Sequence, residues 1–265
     1  MKQVNRLLLL LVCLLCASSV QARSPVVAII IDDLGYRLQQ DRLALSLTGP
    51  LAFAVLPHSP GALQVISIAR RRGLELMLHL PMESSDRDGI EAPGTLKRSM
   101  NWITFVRTLQ ANLAAVPGIV AVNNHEGSIL TADYQRMQWL MVELARHRGI
   151  AFIDSRTTHH TVALKAARET GLDATRRDVF LDHEPGKIAQ QFEELISKAK
   201  QQGSALAIAH PHEETIRFLQ DNLGRLKQQG IELVPVSEFI KIRQLANQQE
   251  ESDRGNSISS YSPGL

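Results

Sequence analysis

Cysteine is almost absent from this chain of 265 residues, and the two that occur, Cys13 and Cys16, both fall within its first 22. That opening segment reads as a secretory signal. Lys2 and Arg6 form a basic start, Leu7 to Ala17 an apolar core, and Val20-Gln21-Ala22 a small-residue cleavage site. Its apolar run of about 11 residues is well short of the roughly 20 that a spanning helix needs, so no stable membrane insertion is expected after cleavage. Cys16 follows Leu15, where a lipoprotein site wants a small residue, so lipidation is not expected either. Cleavage after Ala22 leaves no thiol. A periplasmic or secreted location is compatible with that, while disulfides and thiolate ligands are excluded. Any metal must be held by histidine and carboxylate. Aromatic residues make up only 5% of the chain, so the core must be Leu, Ile, Val and Ala, as in parallel sheets covered by helices. Charge of one sign is also lacking. The net charge is +2, and no Lys/Arg run is interleaved with aromatics, which argues against a nucleic-acid partner.

What the chain does have is a repeating alternation from Val26 onward. Strand patterns fall at Val26–Ile31, Leu51–Val55, Leu74–Leu78, Ile119–Val122, Ile150–Ile153, Val179–Leu181, Ala205–Ala209 and Ile231–Val234. Helical patterns lie between most of them, at Leu38–Leu47, Ala62–Arg72, Trp102–Ala115, Tyr134–Arg148, Val162–Glu169, Ile188–Gln202 and Glu214–Gln229. Gly73, Gly149, Gly203 and Gly230 each sit just past a helix and just before a strand, where a left-handed cap is wanted. Seven or eight such units without a compositional break predict one α/β domain, a (β/α)7-8 barrel over residues 23–246. The polar stretch Pro81–Ser99 reads as a loop over the site. The polar stretch 247–265 reads as a tail without regular structure.

The strand ends carry the chemistry. Asp32 and Asp33 close VVAIIIDD, His79 closes LELMLH, His125 closes IVAVNNH, Asp154 closes IAFID and His210 closes ALAIAH. In α/β proteins ligands collect where the carboxyl ends of parallel strands meet. Of two adjacent acids, one suits a cation and the other a proton-transfer role; the competing reading is a carboxylate that only caps the Leu34-Gly35-Tyr36 turn. One carboxylate with His79 and His125 makes a facial site that suits zinc, and also Mn, Co, Ni or Fe. His210 suits a general acid that protonates a leaving group. Asp154 and Arg156 suit a charge-assisted pair orienting a catalytic acid. His212 reads as a solvated helix start and His159-His160 as a solvated loop, with Asp182, Glu83 and Glu126 as secondary candidates.

At these residues the chain resembles the carbohydrate esterase superfamily of polysaccharide deacetylases, and more closely its divergent branch of secreted bacterial proteins. Members carry T-F-D-D-G, with the first Asp as base and the second as metal ligand; the matching segment here is Ile30-Ile31-Asp32-Asp33-Leu34-Gly35. Their H-[ST]-x-x-H motif is matched by His79 but has Glu83 at the second histidine. In the divergent branch an N-N-H-x-G-S segment supplies the missing imidazole, here Asn123-Asn124-His125-Glu126-Gly127-Ser128. The last motif, a strand ending in His, matches Leu206–Pro211. The R-x-P-Y motif has no literal counterpart, and Arg156 stands in for it. The resemblance covers nearly all of Val26–Leu245 and implies a distorted seven-stranded β/α barrel. It further implies metal-assisted hydrolysis of an acetyl group on an amino-sugar polysaccharide, with Asp33, His79 and His125 as ligands (most often of Zn2+), Asp32 as base and His210 as acid. The replacement at Glu83 keeps a second class open, a catalytically weakened relative that binds glycan or an envelope protein. A metal-free barrel glycosidase using two carboxylates is a third.

Overall fold

Alternating apolar residues in a parallel sheet build two cores, and both are present. The computed structural model describes residues 24–85 and 91–259; the expected signal segment 1–22 lies outside these. Nine strands form one parallel sheet: β1 (Val26–Leu34), β2 (Ala52–Val55), β3 (Glu75–Met82), β4 (Ala121–Glu126), β5 (Ala151–Asp154), β6 (Ala174–Arg176), β7 (Val179–Phe180), β8 (Ser204–Ala209) and β9 (Glu232–Leu233). Their spatial order is β6-β5-β4-β3-β2-β1-β8-β7. β9 joins β1 at Val26 and Val27, below the level at which β2 pairs with Ile30 and Ile31. The helices between them are α1 (Leu38–Ser46), α2 (Ala62–Arg72), α3 (Trp102–Ala115), α4 (Tyr134–Ala145), α5 (Ala163–Thr170), α6 (Ile188–Gln202), α7 (Glu213–Asn222) and α8 (Gly224–Gln228), followed by α9 (Val236–Ser259). The result is a curled parallel half-barrel, the distorted β/α barrel that the strand-and-helix alternation predicts.

The period of two along each strand sorts its side chains. Val27, Ile29 and Ile31 of β1 join the core shared with the helices. Val26, Ala28 and Ile30 join Ala52, Ala54, Met77, Ala121, Ile153, Leu206 and Ile208 inside the curl. Small residues on the inner face leave space at the amino end of the strands. Val236, Phe239 and Ile240 of α9 fill it. The carboxyl end of the curl is left for polar residues.

The structure departs from the sequence reading in three places. β6 falls in the polar segment Ala174–Arg176, which lacks an apolar run because it is an end strand paired only with β5. The single helix expected at Glu214–Gln229 is two, α7 and α8, with Leu223 between them. Of the expected tail 247–265, residues 260–265 lie outside the described residues, and α9 runs through the rest to Ser259. Its anchor is the apolar first turn, which the polarity of the later turns concealed. The four expected helix-ending glycines all take positive φ, and Gly171 does the same after α5.

Candidate metal centre and catalytic groups

Register parity decides which strand-end residues meet. The inward rows run Val26-Ala28-Ile30 to Asp32 on β1, Met77 to His79 on β3, Ala121 to Asn123 and His125 on β4, and Leu206-Ile208 to His210 after β8. Asp33 is on the outward row and would point away on a regular strand. It is turned inward by a left-handed backbone, φ 61°, at a register shift between Ile31 and Leu34. Such a conformation costs a non-glycine residue of the order of 1–3 kcal/mol. The motif glycines serve the same crowded rim. A Cβ on Gly35 would lie 1.9 Å from Ser59 Oγ, and one on Gly127 would lie 2.9 Å from Met82 Cβ.

Asp33, His79 and His125 converge. Asp33 Oδ1 is 3.0 Å from His79 Nε2 and 2.9 Å from His125 Nδ1, and the two ring nitrogens are 3.2 Å apart. Tetrahedral ligands about 2.0–2.1 Å from a common ion lie about 3.3 Å apart, so this triangle fits a small divalent cation. The protonation pattern fits as well. The Asn123 amide nitrogen donates to both Asp32 oxygens at 2.9 Å, so its Oδ1 must accept, 3.0 Å from His79 Nδ1. A neutral His79 then carries its proton on Nδ1 and aims a lone pair from Nε2 at Asp33. Asp33 Oδ1 is left buried without a hydrogen-bond donor. When no cation is present, protons must supply the positive charge. Burial pushes the His79 imidazolium down, but the charges of Asp32 and Asp33 outweigh it and lift His79 to about 9. Burial would likewise raise Asp33, but His125 and His79 hold it well below the usual carboxylate range.

Asn123 was legible only as part of a rim segment, yet it ties the base candidate to a ligand. The inward spacing Ala121-x-Asn123-x-His125 was the signal for it. Asp32 is 2% exposed, and burial raises its pKa despite the opposing pull of His79, His210 and Asn123. Such a carboxylate is a stronger base than a solvated one.

His210 is held from behind by a residue given only secondary rank from the sequence. Asp182 accepts the His210 backbone N–H at 2.7 Å, contacts His210 Nδ1 at 3.0 Å and accepts the Thr215 hydroxyl at 2.8 Å. Burial alone would lift the Asp182 carboxyl, but these bonds hold it below its usual range. Burial alone would lower His210, but Asp182 and Asp33 raise it. Its Nε2 is 3.8 Å from Asp33 Oδ2. A cleft of about 540 Å³ opens there, lined by Asp33, His125, His210, Tyr36, Leu56 and Pro93. Pro93 comes from the segment after β3, where a loop over the site was expected.

The expected side-chain pair of Asp154 and Arg156 is not formed. Asp154 follows the inward Ile153 and so faces outward, where its oxygens accept the Arg156 backbone N–H at 2.8 Å and the Thr161 hydroxyl at 2.9 Å. These bonds order the loop after β5. Burial raises its pKa. The guanidinium whose charge reaches Asp32 belongs to Arg177, bonded to the carbonyls of Ser155 and Arg156. Glu83 is no ligand either. Its carboxylate accepts the Arg98 N–H at 2.6 Å, tying β3 to the segment beyond it. His212, His159 and His160 are exposed. Glu126 bends the chain after β4, with φ 53°.

A parallel half-barrel thus carries two histidines and one carboxylate, a candidate metal centre, at its carboxyl rim. Residues 29–240 match the family described as divergent polysaccharide deacetylase, and the chain belongs to it. It is 36% identical over 223 residues to the uncharacterized protein YibQ of Escherichia coli strain K12, covering 82% of this chain and 69% of that one. Its fold is similar to the uncharacterized protein ATU2773 of Agrobacterium tumefaciens C58, with TM-score 0.77 and 23% identity over 82% of this chain and 90% of that one. The peptidoglycan deacetylase PdaC of Bacillus subtilis shares the fold at TM-score 0.50 and 12% identity, over 89% of this chain and 99% of that one. No helix among the described residues is long and apolar enough to cross a membrane.

Proposed function

We propose that this protein is an exported, metal-dependent deacetylase that removes acetyl groups from an amino-sugar polysaccharide of the cell envelope. The observation that carries the reading is one constellation: Asp33, His79 and His125 within 3.2 Å of one another, with the Asp182-held His210 at 3.8 Å from Asp33. Asp33 Oδ1, His79 Nε2 and His125 Nδ1 would hold the metal, Zn2+ being the best match to a set of two imidazoles and one carboxylate. A cation there supplies Lewis-acid polarisation of an acetyl carbonyl. Asp32 takes a proton from the attacking water, its carboxylate kept in place by Asn123. His210 delivers a proton from Nε2 to the departing amine, while Asp182 holds the Nδ1 side. Tyr36, Leu56 and Pro93 give the acetylated sugar an apolar wall.

The purified mature protein is expected to hold one divalent metal per chain and to release acetate from acetylated chitin or peptidoglycan fragments. Chelation should abolish release and added Zn2+ restore it. A metal-loaded protein that binds such a glycan yet frees no acetate would instead be a binding protein. Export is tested separately: mass spectrometry of the native protein should find Arg23 at its amino terminus, and an intact Met1–Ala22 segment would refute it.

A further inference from the structure

A second pocket, of about 410 Å³, opens beside the metal centre and shares no lining residue with the first cleft. Ser155 joins the two regions: its hydroxyl is 3.3 Å from the Asn123 amide that holds Asp32, and its carbonyl accepts the Arg177 Nε–H at 2.7 Å. Arg156 and Arg177 line the pocket with Ser85, Ser128, Thr157 and Thr158. Ser128 closes the Asn-Asn-His-Glu-Gly-Ser segment and plays no part in the metal triangle. It lies instead 2.9 Å from the Ser84 hydroxyl and 3.0 Å from that of Ser85.

Among the described residues the arginine charge in this pocket has no carboxylate paired to it. Among the described residues the Arg156 guanidinium has no hydrogen-bond or ion-pair partner, although Asp154 fixes the left-handed backbone, φ 51°, that carries it. Arg177 spends its Nε and one Nη on backbone carbonyls and lies over the Phe180 ring. The two guanidiniums repel each other, and burial together with Arg156 lowers the pKa of Arg177. Among the described residues the one carboxylate in the wall, Asp178, is already engaged by Arg243 and by the Leu206 N–H. Asp32, Asp154 and Asp178 act on Arg177 only through charge attraction, without a hydrogen bond. Two cations and hydroxyls from three chain segments surround a space larger than one small ion needs.

We propose that this pocket binds a phosphate monoester carried by the saccharide whose acetyl group enters the metal centre. A phosphate brings about −1.5 to −2 charges and three terminal oxygens in a tetrahedral spread, which matches two guanidiniums and hydroxyls arriving from different directions. A planar carboxylate offers two oxygens and one charge, and would leave donors unused. This assignment rests on the deacetylase reading for its neighbour, but its test reads binding and needs no turnover.

The experiment is calorimetric titration of the mature, metal-loaded protein with N-acetylglucosamine 6-phosphate and 1-phosphate, against N-acetylglucosamine and N-acetylmuramic acid. At least one phosphosugar should bind at least tenfold more tightly than the neutral sugar. Arg156→Gln, at an exposed position that does not endanger folding, should remove about tenfold or more of that affinity, as expected for lost charge-assisted bonds. Ser128→Ala should weaken it less. His125→Ala, which removes a candidate metal ligand, should weaken phosphosugar and neutral sugar by the same factor and keep the preference between them, because the phosphate does not sit on the metal. The proposal is overturned if neither phosphosugar binds better than the neutral sugar, if Arg156→Gln changes nothing, if His125→Ala abolishes the preference for the phosphosugar, or if N-acetylmuramic acid binds as tightly. Failure of the deacetylase reading looks different: acetate release is absent while Arg156-dependent phosphosugar binding persists.

Discussion

β1 and β5 end alike in sequence and differently in space. Both are apolar runs closing on aspartate, IIIDD and FID, and both end near a non-glycine residue in the left-handed region, Asp33 at φ 61° and Arg156 at φ 51°. On β1 the first acid shares the inward row with Ile30, so Asp32 reaches the site, and the backbone twist brings Asp33 in beside it. On β5 the inward row is Ala151 and Ile153, so Asp154 faces the helices and pins its own loop. A step of one residue along a strand moves an acid from the candidate site to the opposite face of the sheet.

The sharpest way to break this comparison is to neutralise each aspartate in turn. Asp32→Asn should leave metal stoichiometry unchanged and cut acetate release by about 10²–10⁴-fold, the usual worth of general base help. An activity within a few-fold of wild type would remove Asp32 from the chemistry. Next in size is Asn123→Ala, which frees both Asp32 and the Nδ1 side of His79. Metal affinity should fall by about 10–100-fold, as for other partners of ligating histidines, and a competition titration with a chromophoric chelator reads it directly.

A third expectation concerns pH. In the chelated protein His79 lies at about 9, above its unfolded value of about 6.5. A raised histidine pKa stabilises the fold fully below the unfolded value, and that contribution is lost as pH rises through the folded one. Melting temperature of the chelated protein should therefore decline from about pH 6.5 to about 9, while the metal-loaded protein, its histidines already neutral, should be flatter. Equal slopes in the two forms would count against the assignment of His79 as a ligand. The smallest effect belongs to Asp154→Asn. An amide still accepts the Arg156 N–H, and burial already disfavours the charge, so acetate release should change less than about threefold and stability by less than about 1 kcal/mol. A loss comparable to that of Asp32→Asn would restore Asp154 to the catalytic machinery.

Much of this protein could be read without coordinates. Strand and helix order, four glycine caps and the residues Asp32, Asp33, His79, His125 and His210 all follow from local pattern: apolar runs of strand length, and polar residues where those runs stop. Glu83 also announced that the usual second histidine was missing. What local pattern could not carry was the partnership of residues far apart in the chain. Asn123 meets Asp32 across 91 residues and Asp182 meets His210 across 28, and neither pairing leaves a periodic trace.

The sequence by itself therefore determined the α/β alternation, the absence of cysteine beyond Cys16 and the set of strand-end donors, because each depends on residue type and short-range period. Only the tertiary structure decided that Asn123 and Asp182 hold Asp32 and His210, that Arg177 extends its charge to Asp32, and that Val236, Phe239 and Ile240 of α9 fill the closed end of the curl. Those outcomes depend on sheet curvature, on backbone twists at Asp33 and Arg156, and on which strands become neighbours. All three are set by packing between distant segments.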